Sequence, residues 1–138
     1  MTQLTHRVIV VPMTLESIDV VQTEFDAWWT AVGEQSTSLR FSFETAVVEI
    51  ATNIVEHTRR AEGRAGIGYS IELTADETQL TAVFRDNRMP ADIDLSTITM
   101  PDLEDESGRG LAFALAALDS VEYRHVDGRN FWTLVCRR

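Results

Sequence analysis

Three stretches of the chain carry residues whose types and spacing could do chemistry. In VVEIATNIVEH, residues 47–57, a carboxylate, an amide and an imidazole recur at four-residue intervals as Glu49, Asn53 and His57. In QLTAVFRD, Asp86 closes a β-patterned run, a place where a site carboxylate often sits; a plain turn residue reads the same way. In ESGRGLAF, Gly108 and Gly110 flank Arg109 immediately before an apolar helix pattern. Glycines at a helix start let backbone N–H groups approach a phosphate closely, and the positive end of the helix dipole favours that anion. A lone G-x-G is weak evidence by itself, because loop glycines look alike.

The first stretch must be a helix for its polar row to form. At about 100° per residue, positions four apart drift about 40°, so the three side chains follow one line along the surface. Phe43, Ala46, Val47, Ile50, Ala51 and Ile54 fill an arc from roughly 60° to 200° relative to Glu49. The row therefore runs along the edge of the buried face. Glu and Asn at that edge are costly unless water or a ligand satisfies them.

The elements that would position these residues follow from periodicity. HRVIVVP, residues 6–12, is β-branched and closed by Pro12. Residues 15–32 carry Leu15, Ile18, Val21, Phe25, Trp28 or Trp29, and Val32 at helical spacing, ended by Gly33. Adjacent tryptophans point about 100° apart on a helix. One is expected in the core and the other half-covered, or else anchoring a dimer or partner surface. EQSTS offers N-caps for a second helix running to about Arg60 and stopping near Gly63. GIGYSIELT alternates as a half-buried strand, ADET turns, and QLTAVFR is the hairpin partner. After Asp86 comes a stretch of about two dozen residues without periodicity, the signature of a functional or disordered loop. LAFALAALD then predicts a short helix, and Asp127-Gly128 predicts a hairpin between SVEYRHV and NFWTLVC. The sum is β-α-α-β-β-loop-α-β-β. That predicts an α+β two-layer sandwich, with a mixed, mostly antiparallel sheet and helices on one face.

Composition narrows the classes. The 138 residues suit one domain spanning 1–138, with 44% hydrophobic and 25% charged residues. A net charge of −10 argues against direct nucleic-acid binding. The acid-dense PDLEDE, residues 101–106, reads as a solvated loop. No apolar run reaches the roughly 20 residues of a membrane span, and the N-terminus lacks signal-peptide features. Cys136, the single cysteine, cannot form an internal disulfide, so a reducing cytoplasm is expected. All twelve basic residues besides histidine are arginines. Without lysine there is neither a P-loop nor a Schiff base, and any phosphate must be held another way.

Taken in order, the E-x-x-x-N-x-x-x-H helix, the strand ending in Asp86 and the loop leading to G-x-G resemble the GHKL, or Bergerat-fold, ATPases. Within that superfamily the chain looks most like the bacterial anti-sigma-factor serine/threonine kinases, over nearly its whole length. The resemblance implies ATP and Mg²⁺ as cofactors. It implies Asn53 as the Mg²⁺ ligand and Glu49 as the base acting on an acceptor hydroxyl, with His57 a structural or pocket-edge residue. It implies that Asp86 accepts from the adenine amino group with Thr133 beside it. Gly108, Arg109, Gly110 and Leu111 would wrap the phosphates under a lid of about residues 92–107.

One departure stands out in the run Asp86-Asn87-Arg88-Met89-Pro90. The anti-sigma branch resembles D-x-G-x-P, and here Arg88 replaces the glycine beside the expected adenine position. The expected function is an ATP-dependent serine/threonine kinase that sequesters a sigma factor and phosphorylates a STAS-type anti-anti-sigma partner. A homodimer is also implied. The alternative is a Bergerat-fold binding module with weak or no ATP binding, which Arg88 favours. A histidine-kinase catalytic fragment would need an additional phosphoacceptor helix, for which no length remains.

Overall fold

A computed structural model describes residues 4–62, 68–86, 112 and 116–138. Its elements run β1 (Thr5–Pro12), α1 (Ser17–Val32), α2 (Thr37–Glu62), β2 (Gly68–Ala75), β3 (Gln79–Asp86), β4 (Ser120–Val126) and β5 (Arg129–Arg137). Ala112, Ala116 and Ala117 are helical, Leu118 and Asp119 form a bend past the helix end, and residues 111 and 113–115 of the helix expected over 111–119 lie outside the described residues. The strands form one five-stranded sheet in the order β1-β2-β3-β5-β4. All four described pairings are antiparallel, where some parallel pairing was expected.

Local chemistry explains the boundaries. Gly33 ends α1 with φ 75° and returns its N–H to the carbonyl of Trp29, a left-handed cap that costs a side-chain-bearing residue energy. Of the caps offered by EQSTS, Ser36 is the one used: its Oγ accepts from the N–H of Leu39 at 3.1 Å. Asp76 closes the β2–β3 turn by accepting from the N–H groups of Thr78 and Gln79. At the β4–β5 turn Asp127 and Gly128 both take positive φ, 52° and 76°, as a two-residue hairpin of the primed kind requires.

Strict alternation assigns the sheet faces. Tyr69, Ile71, Leu73 and Ala75 on β2 are buried with Leu80, Ala82 and Phe84 on β3 and Trp132 and Leu134 on β5. Both helices cover this face, and the six apolar residues expected on the inner arc of α2 are all in the core. Truncating a fully buried aromatic such as Phe43 or Phe84 to alanine should cost about 3–5 kcal/mol. The opposite face is mixed: Val8 and Val10 stand exposed on it, and Glu72 is paired there to His6 at 2.7 Å and to Arg85 at 3.2 Å.

The tryptophan pair departs from expectation. Trp28 and Trp29 are 1% and 6% exposed, so both belong to the core and neither anchors an outer surface. This works because α1 is covered on two sides, by the sheet and by α2. Trp28 donates its indole N–H to the Thr5 carbonyl on β1, while Trp29 stacks on Phe25, which also meets Phe43 of α2.

Candidate functional site

Asp86 ends β3 on the inner sheet face and is 6% exposed. A carboxylate buried this far must be hydrogen-bonded, and the sheet register supplies the partners. Tyr69 lies directly opposite on β2, Asn130 directly opposite on β5, and His125 opposite Asn130 on β4. Asn130, itself 4% exposed, donates Nδ2 to Asp86 Oδ1 at 2.9 Å. Its Oδ1 accepts from the hydroxyl of Tyr123 at 2.5 Å and pairs with Nδ1 of His125 at 2.8 Å. On the other flank the Tyr69 hydroxyl meets Ser17 Oγ at 2.8 Å. Since Ser17 gives its one proton to the Thr14 carbonyl, Tyr69 is the donor in that pair. Burial pushes the Tyr69 phenol up.

The polar row on α2 sits where the helical arithmetic put it. Glu49 and Asn53 are half-buried at the edge of the inner arc, flanked by fully buried Ile50 and largely buried Ile54. Burial raises the Glu49 carboxyl above the ordinary range, and the negative charge of Glu56 adds to the rise. Glu49 opens on a groove of about 280 Å³ lined by Gln22 of α1 and by Phe41, Glu44, Thr45 and Val48 of α2. Phe41, 62% exposed, stands on the rim, two turns before Glu49 on the same side of the helix. Glu44 is engaged by Arg40 at 3.1 Å, and Arg40 also reaches Asp26 at 2.8 Å.

Thr133 does not stand beside Asp86. It pairs with Val83, on the outer face of the sheet, because an odd step of three separates it from Asn130. Asn130 occupies the place expected for Thr133. The side chain of His57, and Arg88, Gly108, Arg109, Gly110 and Leu111 entirely, lie outside the described residues. Sequence reasoning missed Asn130, Tyr123 and Phe41. The signal for Asn130 was its place just after the Asp127-Gly128 turn, in a strand whose next same-face residues are Trp132 and Leu134. Phe41 was detectable as an aromatic eight residues before Glu49, outside the apolar arc of the same helix.

A family model for the histidine kinase-like ATPase domain matches residues 11–136. The chain belongs to the histidine kinase-like ATPase domain family. This ATPase domain also resembles, in fold, the solved RsbU and RsbW domains of Rv1364c from Mycobacterium tuberculosis. The TM-score is 0.65 and the identity 21%, and the likeness covers 96% of this chain and 32% of that one. The chain therefore spans about a third of that relative's length. No curated protein matches the ATPase domain in sequence.

Membership implies ATP as the ligand, and the donor set fits it. A buried carboxylate at a strand end could accept from the amino group of a purine, and the Asn53 amide could offer a hard oxygen to a Mg²⁺ ion. Among the described residues no group of three or more His, Cys, Asp or Glu could hold a metal ion. No helix among the described residues is long and apolar enough to cross a membrane.

Proposed function

We propose that this ATPase domain is a Mg²⁺-dependent serine/threonine protein kinase of the anti-sigma type. Its substrate is a STAS-type anti-anti-sigma protein, and its second partner is a sigma factor. The observation that carries the reading is Glu49. It is a half-buried carboxylate of raised proton affinity, one helical turn from Asn53, opening on a groove of about 280 Å³.

When bound, ATP supplies the phosphoryl group and Mg²⁺ offsets the charge on its phosphates. Asp86 binds the adenine amino group, while Asn53 holds the cation. Glu49 accepts the proton of the acceptor hydroxyl as its oxygen bonds to phosphorus and the bond to ADP breaks. Its raised proton affinity brings it closer to the working pH, where a base is most effective. Gly108, Arg109, Gly110 and Leu111 wrap the phosphates, and Arg109 adds the charge that a lysine supplies elsewhere. Phosphorylation adds charge to the STAS-type partner and so blocks it from displacing the sigma factor, a local electrostatic switch. The one-domain organisation, a cytoplasmic setting and a homodimer belong to the same reading.

The test is transfer from radiolabelled ATP to a STAS-domain protein, compared between the wild type and Glu49→Ala. Loss of transfer with ATP binding retained supports the assignment; unchanged transfer sinks Glu49 as the base. Arg88 favours a second reading, a regulator that binds partners without transferring phosphate. Its bulk stands where the anti-sigma pattern has glycine, and retained partner binding without any transfer would select it.

A further inference from the structure

The rank Tyr69, Asp86, Asn130, His125 crosses four strands on one sheet face, and its hydrogen bonds can run in only one direction. An ionised Asp86 accepts and never donates. Asn130 must therefore turn its amino end toward Asp86, which leaves its oxygen facing β4. That oxygen can only accept, so the Tyr123 hydroxyl donates to it, and His125 carries its proton on Nδ1. Tyr123 is in turn packed against buried Trp132, ring centroids 4.8 Å apart. The amide of Asn130 is thus held at three points, and reversing it would set its oxygen against the Asp86 carboxylate and its amino group against two donors.

We propose that Asn130 is a positioning residue for base recognition, and that Tyr123 and His125 lock its amide so that Asp86 presents itself only as an acceptor. The proposal rests on the reading of Asp86 as the contact to the purine amino group. Its consequence is selectivity for a base that offers a 6-amino donor. A buried carboxylate that loses its fixed N–H donor gains a proton more readily and rotates, and a protonated carboxyl no longer distinguishes donor from acceptor. The β4–β5 hairpin, outside the segments that wrap the phosphates, then becomes part of the base site.

The experiment measures the affinity of Mg²⁺-ATP and of Mg²⁺-purine riboside triphosphate, which lacks the 6-amino group, by calorimetry. The proteins are the wild type, Asn130→Ala, Asn130→Thr and Tyr123→Phe. Asn130→Ala is expected to weaken ATP about tenfold, as losing one charge-assisted hydrogen bond does, and to leave the analogue within about twofold. Asn130→Thr keeps a donor toward Asp86 on a β-branched residue suited to a strand and is expected to restore most of the difference. Tyr123→Phe is expected to weaken ATP alone, by about threefold.

Equal weakening of both nucleotides in Asn130→Ala would reduce the residue to a structural role and overturn the proposal, as would no change in either. Should Asn130→Ala fail to fold, the same comparison in Tyr123→Phe decides: equal effects on both nucleotides, or none, overturn it. A wild type that binds ATP no better than the analogue, or binds neither, removes the Asp86 contact itself. The underlying reading then fails in the unmutated protein, a pattern distinct from failure of Asn130 alone.

Discussion

Asn130 donates its side-chain amide to Asp86 directly across the β3–β5 pair, at 2.9 Å, and both residues are almost wholly buried. The contact depends on non-local register: Asp86 is the last residue of β3, and Asn130 is the second of β5. Asp86→Asn keeps the shape and permits a new amide–amide hydrogen bond, so the fold should survive. ATP affinity should fall at least about tenfold, because an amide is a weaker acceptor for the purine amino group. Calorimetry beside a thermal melt separates the two effects. Affinity within about twofold of wild type in a folded Asp86→Asn protein would remove Asp86 from the site.

Glu49 carries a stability cost that activity would require. Folding raises its carboxyl, through burial first and the charge of Glu56 second. A carboxyl raised by folding binds more protons in the native state than in the unfolded chain, so its contribution to stability worsens as pH rises through that range. The cost grows as pH rises above the ordinary carboxyl range and is absent at about pH 3, where both states are protonated. Glu49→Gln should therefore raise the melting temperature at neutral pH and lose that gain at acid pH. Phosphotransfer should drop at least about 100-fold, the usual effect of removing a general base, with ATP affinity retained. A variant that is less stable at neutral pH would contradict the electrostatic account.

Local signals carried much of this architecture and only part of the site. The turn at Asp127-Gly128, the caps near Ser36 and Gly33, and the inner arc of α2 are each decided by residues within one or two turns of one another. The order of strands is not, and neither is the neighbour of Asp86. In NFWTLVC both alternating sets contain apolar residues, Asn130-Trp132-Leu134 on one side and Phe131-Thr133-Val135 on the other. Periodicity alone could not say which set faces the helices, and an error of one residue moves every side chain to the other face. The tryptophan pair misled for a related reason. Helical geometry gave the angle between Trp28 and Trp29, but only the packing of α1 between the sheet and α2 supplies two apolar neighbours at that angle.

Phe41 separates a docking role from a folding role. Its ring is 62% exposed on the rim of the groove that Glu49 faces, so little core packing depends on it. Phe41→Ser should change stability by no more than about 0.5 kcal/mol, the usual range for an exposed position. If the acceptor segment enters by this groove, the KM for the acceptor protein should rise roughly tenfold, as for an aromatic contact at a binding surface, with kcat and ATP affinity little changed. Steady-state kinetics with the acceptor varied at saturating ATP would read this directly. An unchanged KM would place acceptor entry elsewhere on the domain.

The β4–β5 turn offers a test of how far the base site depends on the hairpin that carries Tyr123, His125 and Asn130. Gly128 has φ 76°, and a Cβ placed there meets no atom within 4 Å, so substitution costs backbone strain alone. Gly128→Ala should lower stability by about 1–2 kcal/mol, the cost of holding an L residue in the left-handed region. For a domain of this size that is roughly 3–8 °C in melting temperature. Gly33 at the end of α1 has nearly the same φ, 75°, and equally open surroundings, so Gly33→Ala is a matched control of similar strain far from the hairpin in sequence. Both variants should melt early by similar amounts. If hairpin strain loosens the Tyr123–Asn130 contact, only Gly128→Ala should also weaken ATP relative to the analogue without a 6-amino group. Equal ATP affinities in the two variants would mean that the cross-strand hydrogen bonds hold the site independently of the turn.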